Sequence, residues 1–258
     1  SLGALIVTAA NIIDLATVMS LLSKAGIDSE SANRLYGILT GKCYVLVNFP
    51  VAVSMALATS LVPTIAGSKA IRDYKSVRDK INASLRLTIL IGLPSSAGMA
   101  ILADPILKML FPGSSEGAYL LSISAFIIVF MGMTQTLSGI LQGLGKVLVP
   151  TVGLFTGALV KLVINFSLMP LPGINIRGAV YGTLLCYIVS TVINMIALKR
   201  NFRLNLDIYN LIIKPVVATV IMSVFTYFAY YYLYMLTASN FISTMTTILI
   251  SAAVFGML

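Results

Sequence analysis

The chain has 258 residues, of which 59% are hydrophobic and only 10% are charged, and its mean hydropathy is +1.00. Soluble domains carry about 25% charged residues, so this composition excludes an ordinary soluble domain and indicates an integral membrane protein. The net charge of +9 alone would fit a nucleic-acid partner, but the distribution of the basic residues, described below, argues against one.

Eight stretches of the chain are apolar and long enough to cross a bilayer, which takes about 20 residues as a helix. We therefore predict an all-α, polytopic transmembrane helical bundle of about eight helices. Pro50 lies inside the second stretch, which is too long for one straight crossing, and is predicted to break or kink it. The predicted spans are 1–22, 35–65, 84–104, 117–141, 148–170, 178–198, 210–235 and 240–258.

Most basic residues fall in three of the predicted loops, near 66–83, 142–147 and 199–214. Cytoplasmic loops of membrane proteins carry an excess of Lys and Arg, so these loops are predicted to be cytoplasmic and to lie close to anionic membrane lipids. Both ends of the chain then face the cytoplasm, and the expected location is a bacterial plasma membrane.

The start and the end of the sequence indicate a piece of a longer protein. Residue 1 is not Met, the first residues are already apolar, and the last span stops at Leu258 without a polar tail.

An enzyme is not expected from this composition. The chain has no histidine, so it contains no Ser-His or Cys-His nucleophile and lacks the commonest zinc ligand. Cys43 and Cys186 lie in different spans and form no metal or disulfide pattern.

Charged side chains inside predicted spans are the strongest functional signal, because ionisable residues are costly in a membrane and usually functional. Asp14 lies in the first span, and Asn11 precedes it by three residues on the same helical face. Lys161 and Asn165 are four residues apart in the fifth span, and Thr183 adds a hydroxyl in the sixth.

Two interpretations of these groups stay open at this stage. In the first, oxygen atoms of Asp14, Asn11, Asn165 and Thr183 coordinate a small hard cation such as sodium, with proton coupling as a variant. In the second, Lys161 forms a buried ion pair with Asp14. Either arrangement satisfies a carboxylate that could not stay buried alone.

Lys42 is the third charge inside a span, in LTGKCYV. It either extends to the outer interface or faces a water-filled cavity and attracts an anionic substrate. Asn48 and Gln135 are further candidates to line that cavity.

Three segments together resemble the stage V sporulation protein B group of polysaccharide-biosynthesis membrane proteins. They are LYGILTGKCYVLVNFPVAVSMALATSLVPTIAGS at 35–68, LQGLGKVLVP at 141–150 and INIRGAVYGT at 174–183. This group belongs to the multidrug/oligosaccharidyl-lipid/polysaccharide flippase superfamily, which also contains lipid II flippases and multidrug antiporters.

The resemblance implies two six-helix lobes that rock about a central cleft. Residues 1–200 would form the C-terminal lobe and 201–258 two additional helices, with the N-terminal lobe absent from the chain. It also implies a cation site formed by Asp14, Asn165 and Thr183. A second acidic ligand of that site would fall at Met169, and a substrate-binding arginine at Val45, where Lys42 is the nearby cation.

The implied function is a flippase that moves a lipid-linked saccharide of the undecaprenyl pyrophosphate type, such as lipid II, by alternating access, in spore cortex synthesis. One alternative is a multidrug or cation antiporter of the same superfamily. Another is a non-transporting membrane scaffold that recruits cell-wall synthesis proteins.

Overall fold

A computed structural model describes residues 15, 17–112, 116–171, 173–202 and 209–257. All regular secondary structure in these residues is helical, as predicted. Helix α1 covers 17–24. The others are α2 (Ser29–Ile38), α3 (Tyr44–Ala70), α4 (Tyr74–Ile101), α5 (Ala103–Leu110), α6 (Ala118–Ser124), α7 (Ile127–Gly143), α8 (Leu148–Leu168), α9 (Arg177–Asn201), α10 (Lys214–Thr237) and α11 (Asn240–Met257).

Seven helical stretches of the described residues are long and apolar enough to cross a membrane. Large apolar side chains cover their outer surfaces, among them Phe155 on α8, Phe228 on α10 and Leu249 on α11. A soluble protein does not expose apolar surface on this scale. The chain is therefore a multi-pass membrane protein.

Two helices begin well before the predicted spans. The Asp28 carboxylate accepts a hydrogen bond from the Ser31 backbone N–H (3.0 Å), and Asp73 accepts one from Ser76 N–H (3.0 Å). These bonds satisfy free N–H groups at the first turns of α2 and α4. The Ser31 bond also lowers the pKa of Asp28 below its usual value, so the cap is charged at neutral pH.

The predicted break at Pro50 is wrong. Helix α3 continues through both Pro50 and Pro63 to Ala70. The irregularity lies earlier, where a π turn over Leu39–Cys43 joins α2 to α3. Proline is tolerated within a membrane helix because neighbouring groups can satisfy the carbonyl that it leaves free.

Glycines allow the closest helix pairs to touch at their backbones. A Cβ atom at Gly139 of α7 would lie 2.5 Å from the Ala58 carbonyl oxygen of α3. Likewise, a Cβ atom at Gly157 of α8 would lie 2.5 Å from the Cys186 carbonyl oxygen of α9. Small residues permit such contact, and close packing is what holds helices together in lipid.

The loops separate into two ends, grouped as the charge pattern predicted. At the basic end, Lys69 Nζ donates to the Leu144 carbonyl oxygen (2.7 Å), and the Tyr74 and Phe202 rings are in contact. At the opposite end, Arg34 pairs with Glu116. Which end faces the cytoplasm stays a prediction.

Candidate functional site

Among the sequence-predicted candidates that the structure describes, Asn165 is the most deeply buried. Its side chain on α8 is 0% exposed, and neither amide atom has a hydrogen-bond partner among the described residues. It faces Gly182 on α9, where a Cβ atom would overlap Asn165 Oδ1. Buried polar groups of native proteins usually have partners, so this amide indicates a ligand, a water molecule or a partner from outside the described residues.

Thr183 lies next to Gly182 on the same helix. Its hydroxyl bonds to the Ala179 carbonyl oxygen (2.8 Å) and to the Tyr44 hydroxyl (3.1 Å). The Ala179 carbonyl can only accept, so the single hydroxyl hydrogen of Thr183 goes to Ala179. Tyr44 must then donate to Thr183, whose oxygen keeps a second lone pair free for a further donor or a cation.

Lys161 lies one turn before Asn165 and packs against the same glycine. Its Cγ atom and its carbonyl oxygen would each lie 3.2 Å from a Cβ atom at Gly182. The structure thus brings Lys161 and Asn165 of α8 together against Gly182, the residue before Thr183 on α9. That Thr183 shares one site with them stays a prediction. Asp14 and Asn11 lie outside the described residues, so their place in the group stays a prediction.

The oxygen atoms of Asn165 and Thr183 are of the chemical type that binds a small hard cation. A threonine hydroxyl and an asparagine carbonyl are neutral oxygen ligands, which hard cations prefer, and the Asn165 oxygen is buried and available. The charge would have to come from a carboxylate, and Asp14 is the candidate. Sodium remains an expectation from the resemblance.

Sodium dependence separates the two interpretations of Asp14. If Asp14 binds sodium with Asn165 and Thr183, Asp14→Asn in the complete protein should abolish any sodium-dependent rise in melting temperature. If it pairs with Lys161 instead, Lys161→Ala should destabilise the protein by about 3 to 5 kcal/mol with little effect of sodium, because an unpaired carboxylate remains buried. Melting curves in sodium and in choline chloride measure both, and an unchanged sodium response in Asp14→Asn would contradict the first interpretation.

The predicted substrate-cavity residues are spread over different elements. Lys42 lies in the π turn, half-buried, with its ammonium 4.9 Å from the centre of the Phe111 ring at the end opposite the basic loops. Asn48 is exposed on α3, and Gln135 is half-buried on α7. Their role at a cavity stays a prediction.

Two buried polar residues were missed from the sequence. Ser190 and Asn194 on α9 are both 0% exposed, and Ser190 Oγ and both Asn194 amide atoms have no hydrogen-bond partner in the described part of the chain. They face Gly153 of α8, where a Cβ atom would lie 3.1 Å from Asn194 Oδ1. Their four-residue spacing is the signal that identified Lys161 and Asn165, and it could have identified these as well.

A cleft lies between α3 and α4 on one side and the α10–α11 pair on the other, where α10 also packs on α4. Its volume is about 400 Å³, and it is lined mainly by apolar side chains, among them Phe49, Met99, Met222 and Phe255. Three hydroxyl residues line it, Ser95, Thr226 and Ser251, and the last two hydrogen-bond to each other (2.7 Å) across the α10–α11 pair. The cleft surface is therefore suited to an apolar chain.

Comparison with known families and proteins identifies a family match and several bacterial relatives. The MatE family matches residues 41–167. In Bacillus subtilis (strain 168), the membrane protein YabM is 31% identical over 73% of this chain and 35% of its own length. Lipid II flippase MurJ is 28% identical over 83% of this chain and 39% of its own. Stage V sporulation protein B is 25% identical over 74% of this chain and 37% of its own length.

The chain therefore spans less than half the length of these relatives. Among solved structures, Lipid II flippase MurJ in an inward closed conformation matches 96% of this chain and 50% of its own, with a TM-score of 0.68 and 17% identity. The structure of MATE in the bent conformation matches 85% of this chain and 50% of its own, with a TM-score of 0.60 and 18% identity. The resemblance seen in the sequence is confirmed: the chain is similar in sequence to Stage V sporulation protein B and to Lipid II flippase MurJ, residues 41–167 match the MatE family, and the fold is that of the MurJ and MATE structures.

Proposed function

We propose that the protein flips a lipid-linked saccharide, a peptidoglycan precursor of the undecaprenyl pyrophosphate type, across the bacterial plasma membrane. The relatives support this substrate class, because one is named a lipid II flippase and another a sporulation protein. In this proposal residues 1–200 form one transport lobe, and 201–258 add a helix pair.

The apolar cleft between α3–α4 and α10–α11 is the observation that carries the proposal. A lipid-linked substrate has a long hydrocarbon tail and a polar headgroup, so its transporter needs an apolar groove beside a polar path. The side chains of Phe49, Met99, Met222 and Phe255 supply such a groove. A transporter of small organic cations has no comparable need for it.

The pyrophosphate headgroup requires positive charge. Lys42 is the cation that we assign to it, because its half-buried ammonium lies within the membrane-spanning helix and near the end opposite the basic loops. An ammonium contributes a point charge to phosphate binding. Asn48 and Gln135 would supply hydrogen bonds to sugar hydroxyls.

Asn165, Thr183 and Asp14 are the residues that we assign to a sodium ion. When bound, sodium would neutralise the Asp14 carboxylate. Asn165 supplies a buried carbonyl oxygen, and Thr183 a hydroxyl oxygen that Tyr44 and Ala179 hold in place. Ion binding drives alternating access only to the extent that the two conformations bind the ion with different affinity.

Native mass spectrometry of the complete protein, extracted gently from its own membrane, tests the proposal. A co-purified polyprenyl pyrophosphate-saccharide should be present, and Lys42→Ala should reduce it by about tenfold, because one charge-assisted contact contributes about 1.5 to 3 kcal/mol. Lys75→Ala, a change at the basic end, is the control. If only phospholipid co-purifies and added organic cations bind, the antiporter is favoured. If neither a lipid-linked saccharide nor an organic cation binds, the scaffold is favoured.

A further inference from the structure

Tyr44 connects two features that the proposed function treats separately. Its backbone N–H donates to the Leu39 carbonyl oxygen, five residues earlier, and so closes the π turn Leu39–Cys43. Its phenol bonds to Thr183 Oγ1 on α9 (3.1 Å). The residue that completes the turn carrying Lys42 is therefore also the residue that contacts the candidate ion site.

The direction of that hydrogen bond gives Tyr44 a positioning role. Because Thr183 donates its one hydrogen to Ala179 (2.8 Å), it can only accept from the phenol. Two of the bonding directions at the Thr183 oxygen are then fixed, and the remaining lone pair has a defined orientation. Without the phenol, that orientation is held by the Ala179 bond alone.

The Tyr44 phenol joins α3 to α9. α3 packs mainly on α7, and α7 packs on α9, so α7 lies between the two helices that the Tyr44–Thr183 bond joins. On its other side the π turn contacts the loop before α6, where Cys43 Sγ lies 3.7 Å from the Gly117 carbonyl oxygen and Lys42 lies over Phe111. Gly117 has φ +101°, and a Cβ atom there would overlap the Ile38 side chain, so the loop fits closely against the turn.

The turn itself has room to change. Cβ atoms built at Gly37 and Gly41 meet no other atom of the described residues within 4 Å. A π turn is a local departure from α-helical hydrogen bonding and is frequent at functional sites. A π turn with open space on its glycine side can shift or revert to α-helical bonding without a steric clash there.

We propose that Tyr44 is a positioning residue that couples the ion site at Asn165 and Thr183 to the π turn that holds Lys42. A bound ion and the Tyr44 phenol would both contact the Thr183 oxygen, so ion binding affects the position of Tyr44. Because the Tyr44 N–H closes the π turn, a shift of Tyr44 is passed to that turn. Linkage makes the effect reciprocal: an anionic headgroup at Lys42 alters ion affinity by the same factor. This inference rests on the proposed ion site.

The first test is a sodium titration of the melting temperature of the complete protein. Tyr44→Phe should raise the sodium concentration needed for half the maximal shift by about fivefold or more, the lower end of usual coupling factors. Thr191→Val is the matched control, since it removes another hydroxyl bond between helices, Thr134 to Thr191 (2.9 Å), away from the site. An equal loss in both variants would overturn the positioning role, because it would reflect general destabilisation.

The second test reads the π turn directly. Gly41→Cys places an exposed thiol in the turn, whereas the natural Cys43 and Cys186 are buried. Sodium should change the rate of maleimide labelling at position 41 by about twofold or more, and adding Tyr44→Phe should remove this dependence. Labelling that depends on sodium equally with and without the phenol would overturn the coupling.

The results distinguish failure of the ion site, of the Tyr44 coupling and of the flippase proposal. If sodium affects neither the melting of the unaltered protein nor the labelling of the Gly41→Cys variant, both the ion site and the Tyr44 coupling fail. If sodium acts and Tyr44→Phe changes nothing, only the coupling fails. Failure of the flippase proposal appears elsewhere, as the absence of a polyprenyl pyrophosphate-saccharide in the mass spectrum.

Discussion

Gly139→Ala is expected to destabilise the protein by about 1 to 3 kcal/mol, the usual cost of overpacking a close interior contact. The added Cβ would lie 2.5 Å from the Ala58 carbonyl oxygen and 2.8 Å from Ala58 Cα. Both atoms belong to the backbone of α3, so no side-chain rotation relieves the clash and the two helices must move apart. Thermal unfolding of the purified protein in detergent measures the effect.

Gly67→Ala is the matched control for this prediction. Gly67 lies on α3, the helix that Gly139 contacts, and a Cβ there meets no other atom within 4 Å in the part of the chain that the structure describes. Alanine is favoured over glycine within a helix by roughly 0.5 to 1 kcal/mol, so this variant should be as stable as the parent or slightly more stable. Equal stability of Gly139→Ala and Gly67→Ala would contradict the close contact between α3 and α7.

The number and order of the helices could be predicted because each must satisfy its backbone within an apolar run of fixed length. Their ends could not be predicted in the same way. Hydropathy indicates which residues lie in the membrane but not where a helix begins. Helix α4 begins at Tyr74, ten residues before the predicted span starts at 84, and Asp73 caps it. The cap depends on a local side-chain bond that carries no hydropathy signal.

The candidate site was predictable in part. Lys161 stands out because a charge is costly inside an apolar span, Asn165 follows from its position four residues after Lys161, and Thr183 is a hydroxyl inside the sixth span. Tyr44 did not stand out, since tyrosine is common at membrane interfaces and its partner is 139 residues away in sequence. The π turn that orients it contacts a distant loop, with Cys43 Sγ 3.7 Å from the Gly117 carbonyl oxygen, and no local sequence pattern contains that contact.

The interface between α8 and α9 explains how one pair of helices carries two buried polar groups. Glycines occur four residues apart on each helix, at 153 and 157 and at 178 and 182. Gly182 faces Asn165, and Gly153 faces Asn194 and Ser190. Each asparagine therefore fits only because its neighbour lacks a side chain, and the size of residue 182 should control the ion site without any change to a ligand.

Gly182→Ala is accordingly expected to abolish sodium binding in the complete protein. The new Cβ would overlap Asn165 Oδ1 and lie 3.2 Å from the Lys161 carbonyl oxygen, so the Asn165 amide must leave the position in which we propose that it binds the ion. An ion present at ten times its dissociation constant stabilises the folded state by about 1.4 kcal/mol, and this increment should disappear from the melting curves.

Gly153→Ala crowds the same interface at its other asparagine and separates loss of the site from loss of packing. Its Cβ would lie 3.1 Å from Asn194 Oδ1 and 3.3 Å from Ser190 Oγ, far along α8 from Asn165. The variant should melt at a lower temperature than the parent yet keep its full response to sodium. If Gly182→Ala also keeps that response, Asn165 is not an ion ligand, and its buried amide has to be satisfied by water or by a side chain of the first helix.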